Sequence, residues 1–155
     1  MAPMISVASA QTTTAMKSNE NQQLELEREQ LCSYKSHFGV KETVQRIEAH
    51  LQEMNVPIFA KYDHKDNAEG VGLSLEPTEV IVFGAPKVGT LLMKENQRIA
   101  IELPLRMAVW QDADGSIWID FPKMKTLAAR YGLENHPVVE KMQQMLEQLA
   151  VRAGS

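Results

Sequence analysis

The segment Val40–Asp63, VKETVQRIEAHLQEMNVPIFAKYD, changes its periodicity halfway along. Val40, Val44, Ile47, Leu51 and Met54 recur at steps of 4, 3, 4 and 3, which is one face of a helix. Gly39 is placed to be its N-cap, with Glu42 three residues on in the capping-box position. After Pro57 the period drops to two: Ile58, Ala60 and Tyr62 alternate with Phe59, Lys61 and Asp63, as in a strand that opens on proline.

Downstream, His64–Gly70 reads as a polar connection, followed by strands over Val71–Glu76 and Glu79–Phe83 about a Glu76-Pro77-Thr78 turn. Gly84–Thr90 breaks the second strand and leads into a short helix over Leu91–Glu95. An irregular stretch ends at Leu103-Pro104, and Leu105–Trp110 and Ile117–Phe121 then flank Asp112-Ala113-Asp114-Gly115, a hairpin in which Gly115 suits a positive φ. Met124, Leu127, Ala128 and Tyr131 form a helical face closed by Gly132, and Asn135 is set to cap a last helix carrying Val138, Met142, Met145, Leu146 and Leu149. Upstream, Leu24–Glu27 and Leu31–Phe38 alternate. Strand, helix, several strands and then helices predict an α+β fold with a mostly antiparallel sheet, not an alternating parallel one.

The 155 residues make about one domain, expected over 24–155, and 44% hydrophobic content suffices for a core. Sixteen Lys+Arg against twenty Asp+Glu leave a net charge of −4, which argues against non-specific nucleic-acid binding. No run approaches the roughly 18 apolar residues of a membrane-spanning helix, so no membrane partner is expected. A single cysteine, Cys32, excludes an intrachain disulfide and a cysteine-cluster metal site. Residues 1–23, without an aromatic and biased to Thr, Ser, Asn and Gln, read as a disordered tail. Ala8-Ser9-Ala10 has the form of an export cleavage site, but no Lys or Arg precedes Lys17 and Ser6 interrupts the apolar run Met4–Ala8, so the expected compartment is the cytoplasm, with export the alternative.

Two constellations bear on chemistry. Gly84–Thr90 orders its glycines, Lys87 and Thr90 somewhat like a phosphate cradle, yet the lysine of a true P-loop stands between the second glycine and the hydroxyl residue. Nucleotide hydrolysis is therefore not expected. What survives is an anion site at a helix start, with Lys87, Gly89 and Thr90 as ligand-binding residues; the competing reading is a stiff strand-to-helix turn. Asp63 beside His64 suggests a carboxylate orienting an imidazole for acid/base catalysis, against the plainer reading of a pair that fixes a loop. No His spacing makes a metal site, and no cofactor is indicated. Met54, Met124, Met142 and Met145 fall on apolar helical faces, where methionine fills a core or an interface. Trp110 and Trp118 read as a cross-strand pair.

From Tyr34 to about Leu149, three-quarters of the chain, the sequence resembles the domain of unknown function 302 family. The resemblance is carried by the Val40–Met54 helix and by the blocks Phe59–His64, Phe83–Met93, Glu102–Leu105, Val109–Trp118 and Leu127–Leu133. It implies a curved antiparallel sheet with helices on one face, like the TATA-box-binding-protein fold, and a homodimer; it implies no activity. Three positions depart from the pattern: Ala85 where the family usually has Asn, Tyr131 where it has His, and Phe121-Pro122-Lys123 where a Tyr-Asn-Asp-Pro turn is common. The expectation is thus a small dimeric module that binds an anionic or apolar small molecule near Gly84–Thr90, with Asp63 and His64 completing a polar wall. Its alternatives are an enzyme using His64 as acid/base and a partner-binding protein with no ligand. The final helix, with a wide apolar face, and the sheet are the surfaces expected to self-associate.

Overall fold

A computed structural model describes residues 8–155, the side chains of 8–10, 24 and 26–29 excepted. Its five strands, β1 (Leu31–Ser36), β2 (Ile58–Asp63), β3 (Thr78–Phe83), β4 (Leu105–Gln111) and β5 (Ile117–Pro122), form one sheet in the order β1-β5-β4-β3-β2. Every pairing is antiparallel. The helices are α1 (Ala8–Gln30), α2 (Val40–Glu53), α3 (His64–Glu69), α4 (Pro86–Glu95), α5 (Met124–Ala129) and α6 (Pro137–Gly154), with a 3₁₀ helix over Gln97–Glu102. The architecture is α+β, as the order of periodicities predicts.

Because side chains alternate across a strand, the two faces of the sheet diverge in chemistry. Ile81 and Phe83 of β3, Leu105, Met107 and Val109 of β4, and Ile117, Ile119 and Phe121 of β5 are buried. Against them lie the apolar faces of α2 (Val44, Ile47, Leu51) and α6 (Val139, Met142, Leu146, Leu149), which share one core. The opposite face carries Tyr62, Val80, Val82, Ala108, Trp110 and Trp118, none of them buried. Trp110 and Trp118 pair directly, and their indole N–H groups donate to Asp120 (2.8 Å) and Asp112 (2.9 Å). The last helix therefore does not offer its apolar face to a partner; that face is used within the chain.

Helix α2 begins at Gly39, as its periodicity indicates, although no side-chain cap bond forms. Its Arg46 donates from Nε to Ala153 O (2.8 Å) and from Nη2 to Arg152 O (3.2 Å) and Ser155 O (3.0 Å), closing the end of α6. The hairpin turn has Gly115 at φ 82° and Gly132 follows α5 at φ 70°, both in the left-handed region.

Four expectations need correction. Residues 8–30 are helical, where an unstructured tail to residue 23 and an alternating Leu24–Glu27 stretch were expected. No Pro or Gly falls between Ala8 and Gln30, so nothing in that run breaks a helix, yet residues 11–23 are exposed throughout. Residues 1–7, with most of the Met4–Ala8 run, lie outside the described residues. Val71–Glu76 is not a strand: Val71, Leu73 and Leu75 alternate but stand exposed, and α3 takes up the preceding polar connection. Helix α4 starts at Pro86, earlier than Leu91, because proline's fixed φ favours the first helical position. Finally, α6 is capped by His136, whose Nδ1 accepts from Val138 N–H at 3.2 Å, and not by Asn135.

Candidate functional site

The early start of α4 changes the meaning of the Gly84–Thr90 segment. Gly89 and Thr90 belong to the helix, and Gly89 lacks a positive φ. A Cβ there would lie 3.5 Å from Leu103 Cδ1 and 3.8 Å from Met93 Cε, ordinary contact distances, so a side chain at this position would point toward those two residues. The N-terminus of α4 is also poorly furnished as an anion cradle. Pro86 has no N–H, and the amides of Val88 and Gly89 both donate to Ala85 O, at 2.9 and 3.1 Å. Ala85, the N-cap, has no side chain to offer. Lys87 is exposed and does not line the space beside it.

That space is a cavity of about 540 Å³ between α4, the 3₁₀ helix with the Leu103-Pro104-Leu105 segment, and α6. Buried Leu105 and Met142 form its floor, and half-buried Val88, Met93, Leu103 and Met145 its walls. Phe59, Thr90 and Lys141 stand at the rim, exposed to solvent. Gly84, Ala85, Pro86, Gly89, Ala100 and Pro104 complete the lining, so among the described residues Thr90 and Lys141 supply its only polar side chains. A volume of this size is within the usual range of small-molecule pockets, roughly 300–1,000 Å³. Where the family resemblance implies an Asn at position 85, a methyl group extends the apolar wall.

Gly89 and Thr90 thus border one cavity, while Lys87 lies outside its lining. His64 is at the far end of the sheet. Ile58 pairs with Phe83 and Asp63 with Glu79, so the cavity lies at one end of the β2–β3 ladder and His64 beyond the other, about 17 Å away at 3.3–3.4 Å per residue. No common polar wall forms. Asp63 does not orient His64 either: its carboxylate caps α3 by accepting from Asp66 N–H (3.0 Å) and lies 3.6 Å from Lys41 Nζ. The capping bond, more than the lysine, holds Asp63 below the usual carboxylate range. His64 is exposed and stacks on Tyr62, ring centroids 6.3 Å apart. Tyr131, at a family His position, donates its hydroxyl to Glu102 (2.7 Å), and this bond raises its pKa. Among the described residues no cluster of three His, Cys, Asp or Glu side chains is arranged to hold a metal ion.

Met142 and Met145 are cavity residues that the sequence assigns to a core or an interface, and Lys141 is one that it does not single out. Met142 and Met145 were legible as apolar positions on one helical face, but nothing in the linear sequence ties that face to α4, some fifty positions earlier. The cis Leu103–Pro104 peptide on the third wall gave no sequence signal beyond proline itself.

Fold and cavity together define a small α+β domain with an apolar cleft at one end of an antiparallel sheet. The chain belongs to the family described as Domain of unknown function DUF302, whose profile matches residues 32–149. An uncharacterized conserved DUF302 protein from Bacillus stearothermophilus has a similar crystal structure, with a TM-score of 0.72 at 19% identity over 79% of this chain and 97% of that one. At that identity the likeness concerns the fold. The chain is also 37% identical over 103 residues, 66% of its length, to proteins named fluoride-specific ion channel FluC 1 in Brucella suis and Brucella abortus. It spans only about two fifths of the length of these relatives, 41% and 38%. No helix among the described residues is long and apolar enough to cross a membrane.

Proposed function

We propose that this chain is a binding module for a predominantly apolar small molecule, held in the cavity between α4 and α6. The observation that carries the reading is the 540 Å³ cavity itself, lined by apolar groups except at its rim. Burial of apolar ligand surface there gains roughly 25 cal/mol per Å² removed from water, and a dry wall of Leu, Val and Met leaves no polar group unsatisfied. A module of this kind suits a chain whose likeness covers part of larger relatives, where the remainder would do other work. The acid/base alternative centred on His64 is less well supported, since neither Asp63 nor the cavity adjoins that imidazole.

Fluorescence titration with the neutral probe N-phenyl-1-naphthylamine tests the reading. The wild type should bind saturably near one probe per chain. Gly89→Leu, whose side chain would extend past Leu103 and Met93 into the cavity, should weaken binding about tenfold or more, a loss of 1.4 kcal/mol. Thr90→Trp at the exposed rim serves as a second blocking variant that does not disturb the core. Undiminished binding in both folded variants would overturn the proposal.

The module is further proposed to act as a homodimer joined through the open face of the sheet. Five strands about 4.8 Å apart, each six or seven residues long, present roughly 500 Å² per copy, about 1,000 Å² for a pair, which reaches the lower bound for a specific interface. That face holds exposed Arg106, without a partner among the described residues, and Asp120, whose Oδ1 is shielded from solvent yet unbonded. A two-fold pairing of the face with itself offers each the opposite charge. Sedimentation at micromolar concentration should show a dimer, and Val82→Glu a monomer; a monomeric wild type would refute this part.

A further inference from the structure

The rim of the cavity carries information about one end of the ligand. Thr90 on α4 and Lys141 on α6 are exposed, and neither side chain has a hydrogen-bond or ion-pair partner among the described residues. The nearest acids in sequence are otherwise engaged: Glu140 accepts from Gln144 (3.4 Å), and Glu147 from Gln143 (2.9 Å). Lys87 and Lys94, seven residues apart and so on one face of α4, are also exposed without partners, with Glu95 as the only acid on that helix. Those two lysines stand outside the lining, so in a chain of net charge −4 the rim's one charged side chain is the cation Lys141. Deeper in, the floor and walls offer no polar side chain, so any second polar group along the ligand would be left unsatisfied at a cost of roughly 1–3 kcal/mol.

We infer that the cavity takes a single-chain anionic amphiphile, its hydrocarbon tail lying against Met93, Leu105 and Met142 and its carboxylate or phosphate at the rim beside Lys141 and Thr90. This inference rests on the cavity reading above and adds the head group to it. Met93, Met142 and Met145 have unbranched, adaptable side chains, which lets the wall follow tails of different length. Lys141, not Lys87, is the cation that faces the ligand.

Displacement of N-phenyl-1-naphthylamine by sodium decanoate and by 1-decanol, each below the concentration at which it aggregates, separates head from tail. The wild type should prefer decanoate about two- to fivefold, the range expected of one exposed ion pair. Lys141→Ala should remove the preference and Lys141→Glu reverse it, with little change in decanol binding, and molar salt should also erase it. Sedimentation with phosphatidylglycerol vesicles, abolished by Lys141→Glu, would support a membrane lipid as the source of the amphiphile; binding of decanoate without vesicle association supports a free acid. Equal displacement by acid and alcohol, unaltered by either Lys141 variant, would overturn the head-group assignment while the cavity reading stood. Failure of the probe itself to bind would overturn the cavity reading.

Discussion

Arg46→Ala should destabilise this domain well beyond an ordinary surface substitution. The last carbonyls of α6 have no intrahelical donor, and Arg46 supplies three N–H groups to Arg152, Ala153 and Ser155. Its guanidinium also lies 4.1 Å from the ring centroid of Phe38, a stacking distance. The Nε bond to Ala153, at 2.8 Å and partly buried, contributes about 1.5 kcal/mol as a charge-assisted bond. The two more exposed bonds and the cation–π contact each add about 0.5 kcal/mol, and side-chain ordering offsets part of this. The net loss is about 2–3 kcal/mol, equivalent to roughly 4–12 °C in Tm for a domain of this size. Urea unfolding followed by the fluorescence of Trp110 and Trp118 would read it as a lower midpoint at constant slope. Arg46→Lys should recover less than half, because an ammonium cannot span three carbonyls as the planar fork does. A loss below about 0.5 kcal/mol, ordinary for a surface position, or full recovery by lysine would refute the argument.

Gly154→Ala should cost about 1–3 kcal/mol by the same assay, because its Cβ would meet Lys35 O at 2.9 Å and Ser36 Cα at 3.3 Å, both backbone atoms; an unchanged midpoint would show that the helix end yields freely. Asp63→Ala removes the cap of α3, worth about 1 kcal/mol at neutral pH. Since the folded pKa of Asp63 is lowered, its contribution is complete above the unfolded value near 3.9 and disappears as pH falls through the folded one; amide exchange of Asp66 should show protection declining in that window in the wild type and flat in the variant. Glu79 is shifted the other way, chiefly by burial, so its ionised form lowers stability at neutral pH and the deficit vanishes as pH falls through its raised pKa. Glu79→Gln should therefore stabilise at neutral pH and lose that advantage toward pH about 4; a variant less stable at neutral pH would mean that Lys41 and Lys61 outweigh desolvation.

The architecture was legible wherever a segment's period matched the face it buries. Val40–Leu51 reads as a helix and Ile58–Asp63 as a strand because one side of each has to meet the core. Val71, Leu73 and Leu75 show the limit of that rule: they alternate as a strand would, but they pair with no strand of the sheet and stay in solvent. Gly89 shows a second limit. A glycine after a strand break suggests a turn, yet here it lies inside α4 with no positive φ, beside Leu103 and Met93. The sequence singled out Gly84–Thr90 as a segment of interest; the apolar walls beside it could not be read there, since they depend on α6 folding back over α4. Asp63 and His64 were adjacent in sequence, but helix capping claimed the carboxylate.

The strand order has a consequence for how the chain is made. β2 to β5 join as successive antiparallel neighbours, whereas β1 pairs across the sheet with β5, Ser36 with Ile117 and Leu31 with Pro122, spans of 81 and 91 positions. Of these five strands, β1 leaves a ribosome earliest and is the last to find its neighbour; at about 5–20 residues per second it waits roughly 4–18 s for β5 to be synthesised. During that interval its segment, Leu31-Cys32-Ser33-Tyr34-Lys35-Ser36, must avoid strangers. Two serines and a lysine among six residues make it a poor seed for aggregation. Its partner β5, Ile117-Trp118-Ile119-Asp120-Phe121-Pro122, is far more apolar, and it emerges when β4 is already present to receive it. Nascent chains stalled before β5 has left the ribosome and after it has cleared should therefore separate a three-stranded β2-β3-β4 intermediate from the completed sheet.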